Sequence, residues 1–392
     1  MSQATEGLQV RFPIDLKDIE SDDLDALLDP DQPFLTHAFL SALEDSGCVS
    51  DKTGWCPHHF SIWDADDKLV AFAPVYLKKH SYGEYVFDWA WADAYQRHGI
   101  SYYPKILCSV PFTPSISSRL VHKVDRESGP LTDYYALFRA TVEAYTERRS
   151  LSSAHVLFPS PVEHCQETFG AWQKREGVQY HWFNRNYQTF DDFLAQLNSS
   201  KRKNIRKERR VLSEQGIAYE WCEGSSVTQE LFDLFYQCYE RTYNVRGQMA
   251  YLNRAFFLLL FSRMGEKCLV LFAKSSEDEV LASALFIRGD NTLYGRYWGA
   301  LENIPFLHFE LCYYAGIDYC IANGLQRFDA GAQGEHKLLR GFEPVPTASF
   351  HNIRHPDFRA AITNFLHEEK EHIEQYREDA KRWLPYKNKG CA

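Results

Sequence analysis

The 392-residue chain has only three methionines, contains no Cys-x-x-Cys pair and has no long uninterrupted apolar run. A bilayer span takes about 20 consecutive apolar residues. The longest apolar block, AFFLLLFSRMGEKCLVLFAK, is broken by Arg263, Gly265, Glu266 and Lys267, so no transmembrane helix and no membrane insertion are expected. The amino-terminal MSQATEGLQVRFP lacks a basic segment followed by an apolar stretch, which argues against a secretory leader and for a cytoplasmic protein. The ten cysteines are scattered, and several, such as Cys268 and Cys320, sit in apolar surroundings. Reduced, buried thiols are expected rather than a disulfide framework. The nearest approach to a metal pattern, CVSDKTGWCPHH at 48–59, has a Cys-x7-Cys-x-His-His spacing that fits no zinc site, so no metal is expected.

Positive charge is in deficit. The net charge of −10 makes the chain as a whole a poor binder of nucleic acid or anionic membrane, although a local basic site is compatible with it. Several catalytic signatures are missing too. There is no Gly-x-Ser-x-Gly elbow, no His-Glu-x-x-His and no Cys-His nucleophile pattern. The stretch GAQGEHKLLRGFEP (331–344) is rich in glycine, but Gly334 is followed by Glu-His-Lys rather than Lys-Ser/Thr. It is therefore not a Walker A loop, and without a helix behind it, it is not a dinucleotide fingerprint. It reads as a strand-to-strand connection in which Glu335 and Lys337 either pair or line a site at the strand ends.

What the chain does have is length and aromatic mass. Residues of hydrophobic type make up 45% and aromatics 15%, enough for sizeable cores, and the length implies two domains of roughly 150 to 200 residues each. The first half reads as a helix near PFLTHAFLSALEDSG stopped by Gly47, two strands joined by an Asp-rich turn (58–80), an amphipathic helix (131–150), a short strand SAHVLFPS and a helix at 161–176. The second half has a similar grammar. It reads as helices at 199–215, 228–243 and 253–264, a strand at 267–274, a hairpin at 280–300, a long helix at 305–323, a strand QRFDAGA, the glycine-rich connection, a strand PTASFHNI and a closing helix from Pro356 to Trp383.

Three stretches carry candidate chemistry. In the helix NIPFLHFELCYYAGIDYCIANG, Glu310 falls inside an apolar stripe with Phe306, Tyr313, Ile317, Cys320 and Ile321. A carboxylate there is either a desolvated general base or a structural group satisfied by an arginine or tyrosine. His308 lies on another face. The run SKRKNIRKERRVL places Ile205 and Leu212 on one side of a helix and Arg202, Lys203, Arg206, Lys207, Arg209 and Arg210 across the other. On an acidic protein this reads either as a phosphate-binding face or as an ordinary solvated one. DWAWADAYQRHGISYYPK (88–105) mixes Asp88, Trp91, Asp93 and Tyr102, which suits a groove for an amphipathic ligand or a buried aromatic core.

The segment from VLASALFIRGDNTLYGRYWGA through GAQGEHKLLRGFEP, together with KRKNIRKERRVLSEQG, GEYVFDWAWADAY and YYPKILCSVPFTP, resembles the FemAB-like branch of the GNAT acyltransferase superfamily, in its subgroup linked to peptidoglycan biosynthesis or recognition. The resemblance covers most of residues 30–380. It implies a mixed α/β (α+β) fold of two tandem GNAT-like domains, each a mixed central sheet flanked by helices, here bounded as 1–195 and 196–355 with a carboxy-terminal helix and tail at 356–392. It implies an N-acyltransferase that moves an acyl or aminoacyl group from acyl-CoA or aminoacyl-tRNA, with no covalently bound cofactor, to a small-molecule or peptide amine, with tRNA as a further partner. On that reading Glu310 or His308 takes the amine proton. Lys337 or Arg340 steadies the oxyanion or a donor phosphate, Arg202, Arg206 and Arg210 hold donor phosphates, and Asp88, Trp91, Asp93, Tyr102 and Tyr297 contact the acceptor. Aminoacyl-transferring members carry Phe-Lys-x-Gly-Phe after the last core strands, and LLRGF puts Leu339 at the lysine slot. If that stretch is extended, Lys337 points to the same side as Leu339 and stands in for the missing lysine. The other reading is a non-catalytic protein that recognises a ligand or cell-wall precursor on a degenerate acyltransferase fold.

Overall fold

A computed structural model of the chain describes residues 7–123, 133–332 and 334–387. The chain folds into two compact units, residues 1–177 with 346–374 and residues 178–345 with 375–392. These bounds differ from the expected breaks at 195 and 355, and strand pairing gives the reason. The strand at Glu343–Ile353 pairs antiparallel with Ser153–Leu157 of the first unit, from Ser349↔Leu157 to Ile353↔Ser153. The strand at Gln173–Phe183 pairs through its last residues with the second unit, Phe183 opposite Arg327. Each unit is therefore discontinuous in sequence.

The first unit contains β1 (Gln9–Arg11), β2 (Trp55–Pro57), β3 (Phe60–Trp63), β4 (Leu69–Ala73), β5 (Val75–Lys78), β6 (Lys105–Cys108), β7 (Val121–His122) and β8 (Ser153–Leu157). One sheet runs β1-β3-β4-β7, and a second places β8, β6, β5 and β2 side by side, with β6 and β8 parallel. The expected pair of strands at 58–80 is three strands, because Pro74 interrupts the second run. Proline has no N–H to give a ladder, and at this point the chain leaves the sheet of β4 for that of β5. The Asp-rich turn forms as expected. Asp64 accepts from the amides of Asp66 and Lys68 at 2.9 and 3.0 Å, and Asp67 takes a left-handed φ of 59°. The helix His37–Asp45 starts on Thr36, whose hydroxyl accepts from the Phe39 amide, and stops before Gly47 at φ 74°. The amphipathic helix is Tyr134–Arg148, capped by Asp133, and its expected start at 131 lies outside the described residues. The helix expected at 161–176 is shorter, Val162–Phe169, because Gln173 already begins β9.

The second unit holds the later part of β9 (Gln173–Phe183) from Val178 on, β10 (Ala218–Glu223), β11 (Cys268–Lys274), β12 (Val280–Arg288), β13 (Thr292–Ala300) and β14 (Arg327–Asp329), and the chain then enters β15 (Glu343–Ile353). The order is β10-β11-β12-β13-β14-β9, antiparallel throughout except for the parallel pair β13 and β14. Those two strands are joined by the expected long helix. It runs through Leu307–Phe309 and Ala315–Ala322 with a π-helical turn, Glu310–Tyr314, between them. Such π turns are uncommon and are found often at functional sites. Leu311, Ile317 and Phe328 are fully buried in one core with Leu271 and Phe286. Gly316 is required in this helix, because a Cβ there would run into the Phe328 ring. The basic helix is Ser199–Glu214, with Asn198 accepting from the Lys201 amide as its cap.

Candidate functional site

β13 and β14 pair over only three positions, Thr292↔Arg327, Leu293↔Phe328 and Tyr294↔Asp329. β14 stops there, while β13 continues to Ala300. In a parallel α/β arrangement, the carboxyl ends of two strands that part company are where ligands are accommodated. Chemistry-bearing side chains collect at this opening.

Asp329, the last residue of β14, is 1% exposed. Its carboxylate accepts from the Gly331 amide at 2.8 Å and from Arg296 of β13 at 3.3 Å, and His181 of β9 lies 3.9 Å away. Burial alone would raise this carboxyl, but Arg296, then His181, the Gly331 amide and Lys337 outweigh it and hold it below its ordinary value. Burial pushes His181 down to about 4, against the pull of Asp329, so its imidazole is neutral at physiological pH.

Lys337 is also 1% exposed, and its ammonium donates to the Gly331 carbonyl oxygen at 2.6 Å. Burial lowers it from 10.5 to about 8, partly opposed by Asp329. The stretch that carries it is not the extended connection expected from sequence. Glu335–Arg340 is a 3₁₀ helix closed by Gly341 at φ 88°. With three residues per turn, Lys337 no longer alternates with Leu339, so the extended-chain argument for their equivalence does not apply. Lys337 reaches the site by folding back onto Gly331 instead.

His336 beside it sits at the rim. Its Nε2 lies 2.7 Å from the Tyr313 hydroxyl, and its ring packs 5.8 Å from His308. His308 in turn stacks edgewise on Trp298 of β13, with centroids 4.9 Å apart. Burial first, then His336 and Arg340, press His308 down to about 4. His308 thus lies between Trp298 of β13 and His336, the residue before Lys337.

Glu310 is placed differently from the general-base expectation. It is 2% exposed and accepts two hydrogen bonds from Arg209, at 2.9 and 3.1 Å, while Arg209 also donates to Asp318 at 2.7 Å. Burial raises its pKa and Arg209 opposes the rise. The geometry is that of the structural alternative, a carboxylate satisfied by an arginine. It also corrects the wheel of the basic helix, since Arg209 turns inward with Ile205 and Leu212 rather than outward. Arg340 is buried as well. It donates to Glu208 at 3.1 Å and lies 3.4 Å above the Phe309 ring, so its charge is engaged within the unit.

Arg202, Arg206 and Arg210 recur every four residues along the helix. Arg202 donates to the Leu197 carbonyl at 3.2 Å, while Arg206 and Arg210 make exposed pairs with Asp191 and Glu214. Tyr297 is half-buried against Tyr239 and Phe257.

In the first unit the expected acceptor residues divide. Asp88, Trp91 and Tyr102 are buried. Asp88 takes a 2.5 Å bond from Lys105 and a 2.6 Å bond from Tyr102, and Lys105, fully buried, also pairs with Glu84 at 2.8 Å. Trp91 packs edgewise on His351 at 4.9 Å. This is a buried ion-pair network of the core alternative for that stretch, in which Oε1 of Glu84 and Oδ1 of Asp88 are buried without a hydrogen-bond partner among the described residues. Asp93 alone is exposed, paired with Arg97.

Among the described residues no group of three His, Cys, Asp or Glu side chains is placed to hold a metal, and no helix is long and apolar enough to cross a membrane. The nine cysteines described are free, and the tenth, Cys391, lies outside the described residues.

Residues 15–388, which include every element of this site, match the FemAB-like family, described by peptidoglycan biosynthesis/recognition. The chain belongs to the FemAB-like family. As a FemAB-like protein it is a transferase of acyl or aminoacyl groups with the mixed α/β fold that the sequence resemblance implies. FemX has a similar structure, with a TM-score of 0.52 at 12% identity over 88% of this chain and 98% of FemX. L-PGS from Bacillus licheniformis aligns at 0.49 and 10% identity over 83% of this chain and 95% of its own. A tandem GNAT protein from the clavulanic acid biosynthesis pathway aligns at 0.43 and 10% identity over 89% and 99%. At 12% identity the FemX likeness speaks for the fold alone. No curated protein matches this FemAB-like chain.

Sequence reasoning missed Asp329, His181, Arg296, His336 and Tyr313. A signal for two of them is present. Asp329 is an acid just before the glycine-rich connection, and His336 directly precedes the lysine that sequence singles out. His181 and Arg296 come together with them only through strand register.

Proposed function

We propose that this protein transfers an acyl or aminoacyl group from a phosphate-bearing carrier to an amine on a peptidoglycan-related precursor, and that the chemistry takes place where β13 and β14 part. The observation that carries this reading is the gathering of Lys337, His336 and His308 at that opening.

The neutral amine attacks the carbonyl carbon of the activated ester or thioester. A C–N bond forms and the carbonyl oxygen becomes an oxyanion. Lys337, buried and held on the Gly331 carbonyl, supplies the positive charge that steadies this oxyanion in a water-poor setting. The attacking nitrogen loses a proton to His336, whose ring is oriented by the Tyr313 hydroxyl. Collapse of the intermediate breaks the bond to the carrier, and the departing oxygen or sulfur takes up that proton. His308, kept neutral, and Trp298 form an uncharged wall beside the reacting carbon. Asp329, clamped by Arg296 and the Gly331 amide, fixes the turn from which Lys337 is hung. Glu310 has a structural part, holding the π turn to the basic helix through Arg209.

Arg202, Arg206 and Arg210 form a line suited to carrier phosphates. Exposed ion pairs such as Arg206–Asp191 are worth only about 0–1 kcal/mol and yield readily to a phosphate. Incubating the purified protein with aminoacyl-tRNA or acyl-CoA and a peptidoglycan-precursor peptide, then seeking the amide by mass spectrometry, tests the reading and separates the two donors. Absence of amide with both donors contradicts it.

A further inference from the structure

The first unit carries a second feature that the transfer chemistry does not use. The helix Trp89–Arg97 and the segment after it border a groove of about 620 Å³, lined among others by Trp89, Asp93, Gln96, Ile100, Ser101 and Tyr103. That volume is in the range of small-ligand sites. Large apolar side chains are unusually open here. Trp89 is 40% exposed, Ile100 37%, and Tyr82, whose ring meets Trp89 edgewise at 4.7 Å, 54%. Contiguous exposed apolar surface rimmed by polar groups marks a place of recognition.

The polar chemistry narrows the ligand. Among the described residues, the only charged lining residue is Asp93, and Arg97 of the same helix already pairs with it. Among the described residues no unmatched positive charge lines the groove, which disfavours a phosphate or a carboxylate. No unmatched negative charge among the described residues lines it either, which disfavours a cation. Gln96 and Ser101 add neutral donors and acceptors whose side chains have no partner among the described residues, and Tyr103, its hydroxyl 2.8 Å from Ser81, also lines the groove. A flat indole face with neutral hydrogen-bonding groups around it matches a pyranose ring, which is apolar on its C–H faces and ringed by hydroxyls.

We infer that this groove binds the neutral saccharide portion of a glycan, with Trp89 as the stacking platform and Asp93 and Gln96 as hydroxyl readers. The inference rests on the proposed function in so far as a peptidoglycan-related acceptor carries sugars. The groove gives the first unit a saccharide site of its own.

The test is a titration of the full-length protein with a β-1,4-linked trimer of N-acetylglucosamine, followed by saturation-transfer NMR and tryptophan fluorescence. A sugar-free peptide of the precursor type is titrated in parallel. Binding of the trimer at millimolar or lower concentration is expected, weakened at least about tenfold in Trp89→Ala. Gln96→Ala, an exposed change, is a second variant expected to weaken binding, and far-UV circular dichroism checks that both remain folded. No binding of the trimer, binding unchanged in both variants, or peptide binding at this groove in place of the sugar each overturn the inference. The same preparation is assayed for amide formation. Transfer without saccharide binding removes the groove and leaves the proposed function standing, whereas saccharide binding without transfer does the reverse.

Discussion

The ammonium of Lys337 lies 2.6 Å from the carbonyl oxygen of Gly331, two residues past the buried carboxylate of Asp329 that ends β14. This contact hangs a buried cation at the point where β13 and β14 separate. Its charge is costly there, since burial brings Lys337 from 10.5 down to about 8. The unfolded chain therefore binds an extra proton between about pH 8 and 10.5. The stability cost of burying the ammonium is fully present below pH 8 and disappears as pH rises through that window. Lys337→Met removes this pH dependence, so urea midpoints of wild type and variant converge above pH 10. Activity responds in the opposite sense. Loss of an oxyanion-stabilising group lowers kcat/KM by about 10²–10³, and the basic limb of the pH–rate profile, with its inflection near 8 in the wild type, is lost in the variant.

Arg209 and Glu310 give a prediction that separates structure from catalysis. Removing one member of a buried ion pair costs about 3–5 kcal/mol because the other charge is left uncompensated. Arg209 is about a third exposed, so solvent screening reduces the effect. Arg209→Ala is expected to destabilise by roughly 2 kcal/mol in urea unfolding. Glu310→Gln, which keeps shape and one acceptor, retains transfer within about threefold of wild type. A loss of turnover at unchanged stability in Glu310→Gln would restore the general-base role read from the helix wheel.

The network in the first unit predicts a large, purely structural effect. Lys105 is fully buried between Glu84 and Asp88. Lys105 is closer to Asp88, which also receives the Tyr102 hydroxyl, so the negative charge settles on Asp88. Burial pushes Glu84 up to about 7 against the pull of Lys105. Lys105→Met strands these acids and is expected to cost about 3–5 kcal/mol. Adding Asp88→Asn recovers part of that loss, so a double-mutant cycle in urea gives a coupling of at least about 1 kcal/mol, and additivity would show the pair to be independent.

Two neutral histidines make the second unit sensitive to acid. Burial holds both His181 and His308 at about 4, below the ordinary 6.5. The unfolded chain binds their protons first, so the contribution is unaffected above pH 6.5 and stability falls as pH drops from 6.5 towards 4. His181→Asn is expected to flatten the stability curve over that interval relative to wild type, as measured by thermal melts at stepped pH. An unchanged slope would mean that the imidazole is solvated.

Much of the fold is legible in the residues, because capping and periodicity are local. Gly47 marks a helix end that the structure keeps, and the basic helix expected at 199–215 runs over Ser199–Glu214. What is not legible is pairing between distant segments. Nothing local says that Ser349–Ile353 lies beside Ser153–Leu157, so the unit boundaries move. The candidate site divides in the same way. Lys337 and His308 stand out by type and position, but Asp329, His181 and Arg296 become one cluster only when β9, β13 and β14 are in register. Asp88 and Glu310 carry the same ambiguity at sequence level, acid among apolar residues. In the structure Asp88 pairs with Lys105 and Glu310 with Arg209, contacts that no local pattern announces.

Single-turnover transfer to a precursor peptide, followed by mass spectrometry of the amide product with wild type, Lys337→Met, His336→Asn and Glu310→Gln side by side, tests the placement of the chemistry most directly. The account predicts product from the wild type and from Glu310→Gln, with the rate lowered about 10²-fold or more in Lys337→Met and His336→Asn. Wild-type rates in both of those variants, with turnover abolished in Glu310→Gln, would contradict it.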